Sequence, residues 1–74
     1  MTVILDAQGL KCPLPVLRAR KKIREVEPGA ALTVLATDPA AVRDFQAFCD
    51  QTGHAFVSSA EAGGVYTIVL QRKA

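Results

Sequence analysis

Five breaks divide this sequence into six short segments. They fall at 7–11, Pro28-Gly29, Asp38-Pro39, Gly53 and Gly63-Gly64, and proline, glycine and aspartate are residue types that end helices and strands or form tight turns. A chain of 74 residues divided in this way can form only short elements around a thin core. We expect residues 1–74 to form a single domain with its chemistry close to the surface.

Two of the segments show the periodicity of amphipathic helices. Segment 13–26 begins with Pro13, which suits a first helical turn, and its apolar stripe comprises Val16, Ala19, Ile23 and Val26. The second predicted helix has Asp38 as N-cap, Pro39 at its first position and Gly53 as C-cap. Its apolar stripe comprises Ala41, Val42, Phe45, Phe48, Cys49 and Thr52.

The other four segments predict strands. They are TVILD at 2–6, ALTVLAT at 31–37, HAFVSS at 54–59 and VYTIVLQR at 65–72. Tyr66, Ile68 and Leu70 alternate with the other residues of the last strand and are expected to face the core. The order is β-α-β-α-β-β, and right-handed crossovers place both helices on one face of a four-stranded mixed sheet. The expected fold class is an α/β (α+β) two-layer sandwich.

Charge and composition exclude several classes of protein. The net charge is only +2, but six of the nine basic residues lie in 11–24, so one face should be basic and suit an acidic docking partner. No apolar run is long enough to span a bilayer, and no secretory leader is recognisable. Two cysteines do not make a disulfide framework. We therefore expect a cytoplasmic protein with free thiols and no direct contact with a membrane.

Cys12 is the candidate nucleophile. It precedes the first predicted helix, where unpaired N–H groups and the helix dipole favour a negative charge, and Lys11 adds a positive charge beside it. Such surroundings lower the pKa of a thiol, so a lowered pKa is expected here. Pro13 and Pro15 restrict the backbone and present the thiol to solvent. In the alternative, Cys12 merely occupies a capping position before an ordinary proline start.

The rest of the sequence supplies no catalytic partner for Cys12. The single histidine, His54, lies far along the chain and is expected to be a surface or edge residue, whereas a hydrolytic cysteine needs a nearby base. Pro15 rules out a CxxC redox pair, and a zinc site needs about four ligands, so no metal is expected. Cys49 falls in the apolar stripe, which predicts an inert buried thiol; a resolving thiol for Cys12 is the alternative.

The stretch LDAQGLKCPLPVLRARKKI resembles the CPxP signature of the TusA (SirA-like) sulfur carriers. The resemblance continues through PGAALTVLATDPAAVRDFQAFCDQTGH to the closing hairpin and so covers essentially the whole chain. It is carried by Leu5, Asp6, Gly9, Leu10, Cys12, Pro13, Pro15, Asp38, Pro39, Arg43 and Asp44. The fold that it implies is the sandwich expected above.

The resemblance also implies a function. Cys12 would accept sulfane sulfur as a persulfide from a cysteine desulfurase or rhodanese-type donor and pass it to a downstream acceptor protein. The receiving pathway would be tRNA thiolation, molybdenum cofactor maturation or sulfur oxidation. No resident cofactor is implied, because the sulfur is cargo.

Site residues follow from the same resemblance. The residues expected to position the thiol are Gly9, Lys11, Pro13, Leu14 and Pro15. Those expected to dock a partner are Arg18, Lys21 and Lys22, and Asp38 and Arg43 are expected to have a supporting role. Leu14 departs from the best-known tRNA-thiolation members, which carry an acidic residue at that position. By helical phase Leu14 should lie exposed beside the thiol.

A second class of function uses the same basic segment. The chain could be a small interaction or RNA-binding module whose working surface is the basic face of the first helix. Nucleic-acid binding favours exposed aromatic residues or a broad basic patch. The aromatic residues Phe45, Phe48, Phe56 and Tyr66 are expected in the core, so nucleic acid is not the expected direct ligand.

Overall fold

The computed structural model describes residues 3–74, which form a four-stranded sheet and two α-helices. The elements are β1 (Val3–Ala7), α1 (Leu14–Lys22), β2 (Ala31–Ala36), α2 (Ala41–Thr52), β3 (Ala55–Ala62) and β4 (Val65–Gln71). One turn of 3₁₀-helix, Ile23–Glu25, continues α1. Among these residues no helix is long and apolar enough to cross a membrane.

The sheet has the order β1-β2-β4-β3. Strands β1 and β2 are parallel, whereas β4 runs antiparallel to both β2 and β3. The β1–β2 connection contains α1 and the β2–β3 connection contains α2, and both helices cover the same face. The expected two-layer α/β sandwich with a mixed sheet is confirmed.

The core lies between that face and the two helices. Leu32, Val34, Ile68 and Leu70 of the central strands are fully buried, as their alternation in the sequence predicts. The helices contribute Ala19, Ile23, Phe45, Phe48 and Cys49, which are also buried. Ile4, on the other face of β1, is 58% exposed, because no helix covers that side of the sheet.

Some element boundaries differ from the predicted ones. Helix α1 ends at Lys22 and the 3₁₀ turn replaces its predicted last turn. Helix α2 begins at Ala41 rather than beside Asp38; the Asp38 carboxylate accepts a hydrogen bond from the N–H of Ala40 in a turn before the helix. Strand β3 extends to Ala62, so Gly63-Gly64 alone forms the hairpin turn. The predicted start of β1 at Thr2 lies outside the described residues.

Candidate functional site

Cys12 is exposed in the loop that joins β1 to α1. Gly9, at a φ of +80°, turns this loop, and its N–H donates a hydrogen bond to Oγ1 of Thr37 at the end of β2, at 2.9 Å. Leu14 N–H donates to the carbonyl of Lys11 at 2.8 Å. The Cys12–Pro13 peptide bond is cis. These contacts hold the loop against the carboxyl end of β2 and leave the thiol in solvent.

Asp38 connects this loop to the start of α2. Its Oδ2 accepts a hydrogen bond from the N–H of Cys12 at 2.5 Å, and its Oδ1 accepts one from the N–H of Ala40 at 2.9 Å. These two bonds lower the pKa of the Asp38 carboxyl below its ordinary value, and the bond from Ala40 has the larger effect. N–H donors act in this direction because they favour the ionised form of a carboxyl group. Asp38, for which a supporting role is predicted, contacts the backbone of Cys12 through its side-chain carboxylate.

The electrostatics at Cys12 contradict the sequence-based expectation. The pKa of its thiol is raised, chiefly because Asp44 acts as a hydrogen-bond partner of the thiol, and further by desolvation and the negative charges of Asp44 and Asp38. Arg43 acts in the opposite direction with a smaller effect. The predicted lowering of the pKa is wrong, because Asp44, Asp38 and desolvation together outweigh the positive charge of Arg43.

Two grooves meet at Cys12. The first, of about 340 Å³, lies between the β1–α1 loop and the start of α2 and is lined by Gly9, Leu10, Lys11, Cys12, Thr37, Asp38 and Pro39. The second, of about 190 Å³, runs between α1 and α2 and is lined by Cys12, Pro13, Val16, Arg20, Asp44, Ala47, Phe48 and Gln51. A partner's reactive group can therefore approach the thiol from either side of the loop.

The predicted positioning residues lie partly at the two grooves beside Cys12 and partly elsewhere on α1. Gly9 and Lys11 line the first groove and Pro13 lines the second. Pro15, the second residue of α1, is buried, whereas Leu14 is 44% exposed on the first turn, as its helical phase predicts. Leu17, one turn further on, is 52% exposed and was not predicted as part of the site.

Asp44 is the residue beside the thiol to which the sequence assigns no role. It is one of the positions that carry the resemblance, and it has the largest effect on the pKa of Cys12. The sequence held one signal, since Asp44 lies one turn into α2, on the helix that follows Asp38. Its proximity to a cysteine 32 positions earlier depends on how α1 packs against α2, which no local pattern reveals.

The predicted docking residues lie apart from the thiol. Arg18 and Lys21 are exposed on α1, and Lys22 is half-buried with its Nζ 3.4 Å from Oε1 of Glu25. None of the three lines either groove at Cys12. Arg20, on the same helix, does line the second groove, and its guanidinium carbon lies 5.3 Å from the centroid of the Phe48 ring.

Cys49 and His54 are not placed to assist Cys12. Cys49 is 4% exposed in the core and is not bonded to Cys12; desolvation first, and then the charge of Asp50, raise the pKa of its thiol. His54 lies half-buried with its ring centroid 5.7 Å from that of Phe48. Its Nδ1 accepts a hydrogen bond from the N–H of Lys73 at 3.0 Å, and neither groove at Cys12 includes it.

Comparison with known proteins identifies the family. Residues 3–72 match the family model described as sulfurtransferase TusA. The chain belongs to the sulfurtransferase TusA family. A protein from Neisseria meningitidis serogroup B is 55% identical over 69 residues, which are 93% of each chain. The sulfur carrier protein TusA of Allochromatium vinosum is 47% identical over 68 residues, 92% of this chain and 90% of that protein.

A solved structure of a family relative shares the fold. The crystal structure of the SirA-like protein from Desulfitobacterium hafniense matches with a TM-score of 0.83 at 28% sequence identity. The match covers 100% of both chains. The SirA-like protein therefore shares the fold described above.

Proposed function

We propose that this TusA family member is a sulfur carrier that holds sulfane sulfur as a persulfide on Cys12. The observation that carries the proposal is the placement of the thiol, which is exposed at the junction of two grooves on a loop tied to β2 and α2. Membership of the sulfurtransferase TusA family, with relatives named as sulfur carriers, supports it.

Transfer needs only a nucleophilic thiolate and a donor persulfide. After the Cys12 thiol has lost its proton to solvent, the thiolate attacks the outer sulfur of the donor's persulfide. The donor's S–S bond breaks, its thiolate leaves with the electron pair, and a new S–S bond forms on Cys12. Delivery repeats the step with the acceptor's thiolate as nucleophile, so no external oxidant or reductant is consumed.

Because the pKa of Cys12 is raised, its thiol must lose a proton before it can accept sulfur. The empty thiol is mainly protonated at neutral pH, so its reactivity depends on how strongly Asp44 and Asp38 act on it. A cationic side chain of a donor that paired with Asp44 would favour the thiolate when the two proteins meet. In this proposal the donor is a cysteine desulfurase or a rhodanese-type protein, the acceptor is a further protein, and the relay operates in the cytoplasm.

Exposed apolar residues beside the thiol are the proposed determinants of partner choice. Leu14 and Leu17 are both about half exposed on the first two turns of α1. Large apolar side chains at the rim of a reactive loop favour an apolar patch on the partner and disfavour a charged one. We expect Leu14→Glu to change which acceptor of the three candidate pathways takes the sulfur, without changing loading by a small-molecule persulfide.

Loading with sulfur tests the proposal directly. Incubation with a cysteine desulfurase and cysteine should add the mass of one sulfur atom, removable by a reducing thiol. Cys12→Ser should abolish the adduct, whereas Cys49→Ala should retain it. An adduct that persists on Cys12→Ser, or one that is lost only with Cys49→Ala, contradicts the assignment.

A further inference from the structure

A basic cleft lies at the far end of α1 and α2 from Cys12. It has a volume of about 610 Å³ and is lined by both helices and by the segment after β4. Its cationic side chains are Arg20, Arg24, Arg72 and Lys73. None of the four is among the residues that the sequence predicts for the site, and the last two come from the opposite end of the chain.

Backbone carbonyls and an aromatic ring hold three of these cations in place. Nη1 of Arg72 donates hydrogen bonds to the carbonyls of Arg24 and Val26, at 3.2 and 2.5 Å. Nζ of Lys73 donates to the carbonyl of Thr52 at 2.9 Å, and Arg20 stacks over Phe48. Each group keeps further N–H donors free of these contacts. An anion entering the cleft therefore meets cations that are already ordered, which lowers the entropic cost of binding.

No carboxylate side chain lines the cleft within residues 3–74. The only ion pair in this part of the chain joins Lys22 to Glu25, and no aspartate or glutamate lines the cleft. Ala74 lines it too. Clustered like charges repel one another, so the arrangement is best explained by an anion supplied from outside.

The cleft is continuous with the groove that contains the thiol. The two concave surfaces share Arg20, Phe48 and Gln51. Cys12 lies two residues before α1 and Arg24 lies in the 3₁₀ turn after it, so at about 1.5–2 Å per residue the distance along the helix axis from Cys12 to Arg20 and Arg24 is about 12–18 Å. An extended peptide, which advances about 3.3 Å per residue, covers that distance in about four to five residues.

We propose that this groove binds an extended acidic segment of a partner protein, with the partner's reactive cysteine at Cys12 and its acidic side chains about four to five residues away in the basic cleft. The inference rests on the proposed function, since it names the segment that exchanges sulfur with Cys12. A protein segment is favoured over nucleic acid because Phe48 is only 2% exposed and the second ring in the cleft, the half-buried His54, packs against Phe48, so the cleft has no open aromatic platform for bases.

Model peptides test the groove without any sulfur donor. Each peptide carries one cysteine, activated as a mixed disulfide with an aryl thiol, and a pair of aspartates or a pair of lysines placed five residues away on either side. The Cys12 thiolate attacks the peptide sulfur, the aryl S–S bond breaks, and the coloured aryl thiolate leaves with the electron pair. Use of the Cys49→Ala background restricts the reaction to Cys12.

We expect the aspartate peptide to react about threefold to tenfold faster than the lysine peptide at low ionic strength, given about 0.2–1 kcal/mol for each partly exposed ion pair. The difference should vanish in about 1 M salt, where the screening length is about 3 Å. An aspartate pair next to the cysteine should give a smaller advantage, because it cannot reach the cleft. Equal rates for the aspartate and lysine peptides overturn the proposal.

Arg24→Glu provides the matched variant. Its side chain is exposed and makes no hydrogen bond among residues 3–74, so the substitution should leave folding intact and reduce the preference for the aspartate peptide. Ser58→Glu/Ala60→Glu, on the uncovered face of the sheet, changes the net charge by the same amount and should leave the preference unchanged. A preference that changes equally in both variants indicates a general charge effect and contradicts a localised cleft.

The peptide assay separates this inference from the proposed function. Disulfide exchange needs only the Cys12 thiol, so an aspartate preference with no persulfide loading would refute the sulfur carrier and keep the groove. Loading with no aspartate preference would refute the groove and keep the carrier. Salt-sensitive binding of a single-stranded RNA that is lost in Arg24→Glu, together with equal peptide rates, would assign the cleft to nucleic acid and overturn the proposal.

Discussion

The N–H of Cys12 donates a hydrogen bond to the carboxylate of Asp38, a residue 26 positions further along the chain. The same carboxylate accepts the N–H of Ala40 just before α2. One side chain thus ties the loop of the reactive cysteine to the start of the second helix. The position of the thiol therefore depends on the parallel pairing of β1 with β2, which brings the loop and Asp38 together.

Replacement of Asp38 by alanine should free the Cys12 loop and lower stability. Both N–H groups lose their acceptor, so hydrogen exchange at Cys12 and Ala40 should accelerate and the urea midpoint at pH 7 should fall. Asp50→Asn, at an exposed site on α2, serves as the control. An unchanged exchange rate at Cys12 in Asp38→Ala would contradict the role assigned to this carboxylate.

Asp38 should also contribute to the loss of folding stability in acid. Its folded pKa is lowered, so its stabilising effect is fully present above its unfolded pKa, about 3.9, and is lost as the pH falls through the lower folded value. Urea midpoints measured between pH 7 and pH 2 should therefore decline less steeply in Asp38→Asn than in the wild type. A parallel decline in both proteins would show that other carboxylates dominate the acid transition.

Substitutions at Asp44 and Arg43 should move the reactivity of Cys12 in opposite directions. Asp44→Asn removes the strongest influence that raises the pKa of the thiol, so alkylation at neutral pH should be faster and its pH profile should shift to lower pH. Arg43→Gln removes a lowering influence and should shift the profile to higher pH. Site-resolved mass spectrometry of iodoacetamide labelling measures both. Shifts of the same sign in the two variants would contradict the electrostatic explanation.

Substitutions at Cys49 should distinguish a packing role from a chemical one. Cys49→Ser places a hydroxyl in an apolar site and should cost about 1–3 kcal/mol in the free energy of unfolding if the hydroxyl finds no partner. Cys49→Ala keeps the site apolar and should cost less. Both variants should still be alkylated at Cys12 at the wild-type rate. Slower labelling of Cys12 in a folded Cys49→Ala protein would indicate that the two thiols act together.

The pKa of His54 should lie below the ordinary value of histidine. Desolvation lowers its pKa first, and the charges of Lys73 and Arg72 lower it further. Removal of one charge in Lys73→Gln should raise the pKa, which proton NMR of the ring measures directly. A depressed folded pKa means that stability is retained above about pH 6.5 and falls as His54 becomes protonated at lower pH. An unchanged titration curve in Lys73→Gln would contradict the effect assigned to that charge.

Local patterns were sufficient to predict the elements, the exposure of Cys12 and the burial of Cys49. The apolar stripes at 16–26 and 41–52 and the alternation in β4 place the core correctly, since periodicity directly encodes which face is buried. Gly53 ends α2 in the left-handed conformation expected of a C-cap. Boundaries were less certain, because the Asp38 side chain bonds Ala40 in a preceding turn and does not cap the helix at the predicted residue.

The electrostatics of the site could not be read from local patterns. Lys11 and the helix end lie next to Cys12 in the sequence, whereas Asp44 reaches it only through the packing of α1 against α2. The basic cleft could not be predicted from local patterns either. Arg24 and Arg72 are 48 positions apart, and their meeting depends on the pairing of β2 with β4, which brings the end of the chain beside α1.

Cys12 is exposed, whereas Cys49 is only 4% exposed. Labelling of the two thiols in one molecule can therefore report how often the fold opens locally around α2. A thiol reagent attacks the first cysteine in the native state, but reaches the second only when α2 detaches from the sheet. The ratio of the two labelling rates, taken from one sample and corrected for the different pKa values of the thiols, yields the population of that open form. The effects of sulfur loading, partner binding and substitution on this open population can then be compared directly, because the intrinsic reactivity of the reagent cancels in the ratio.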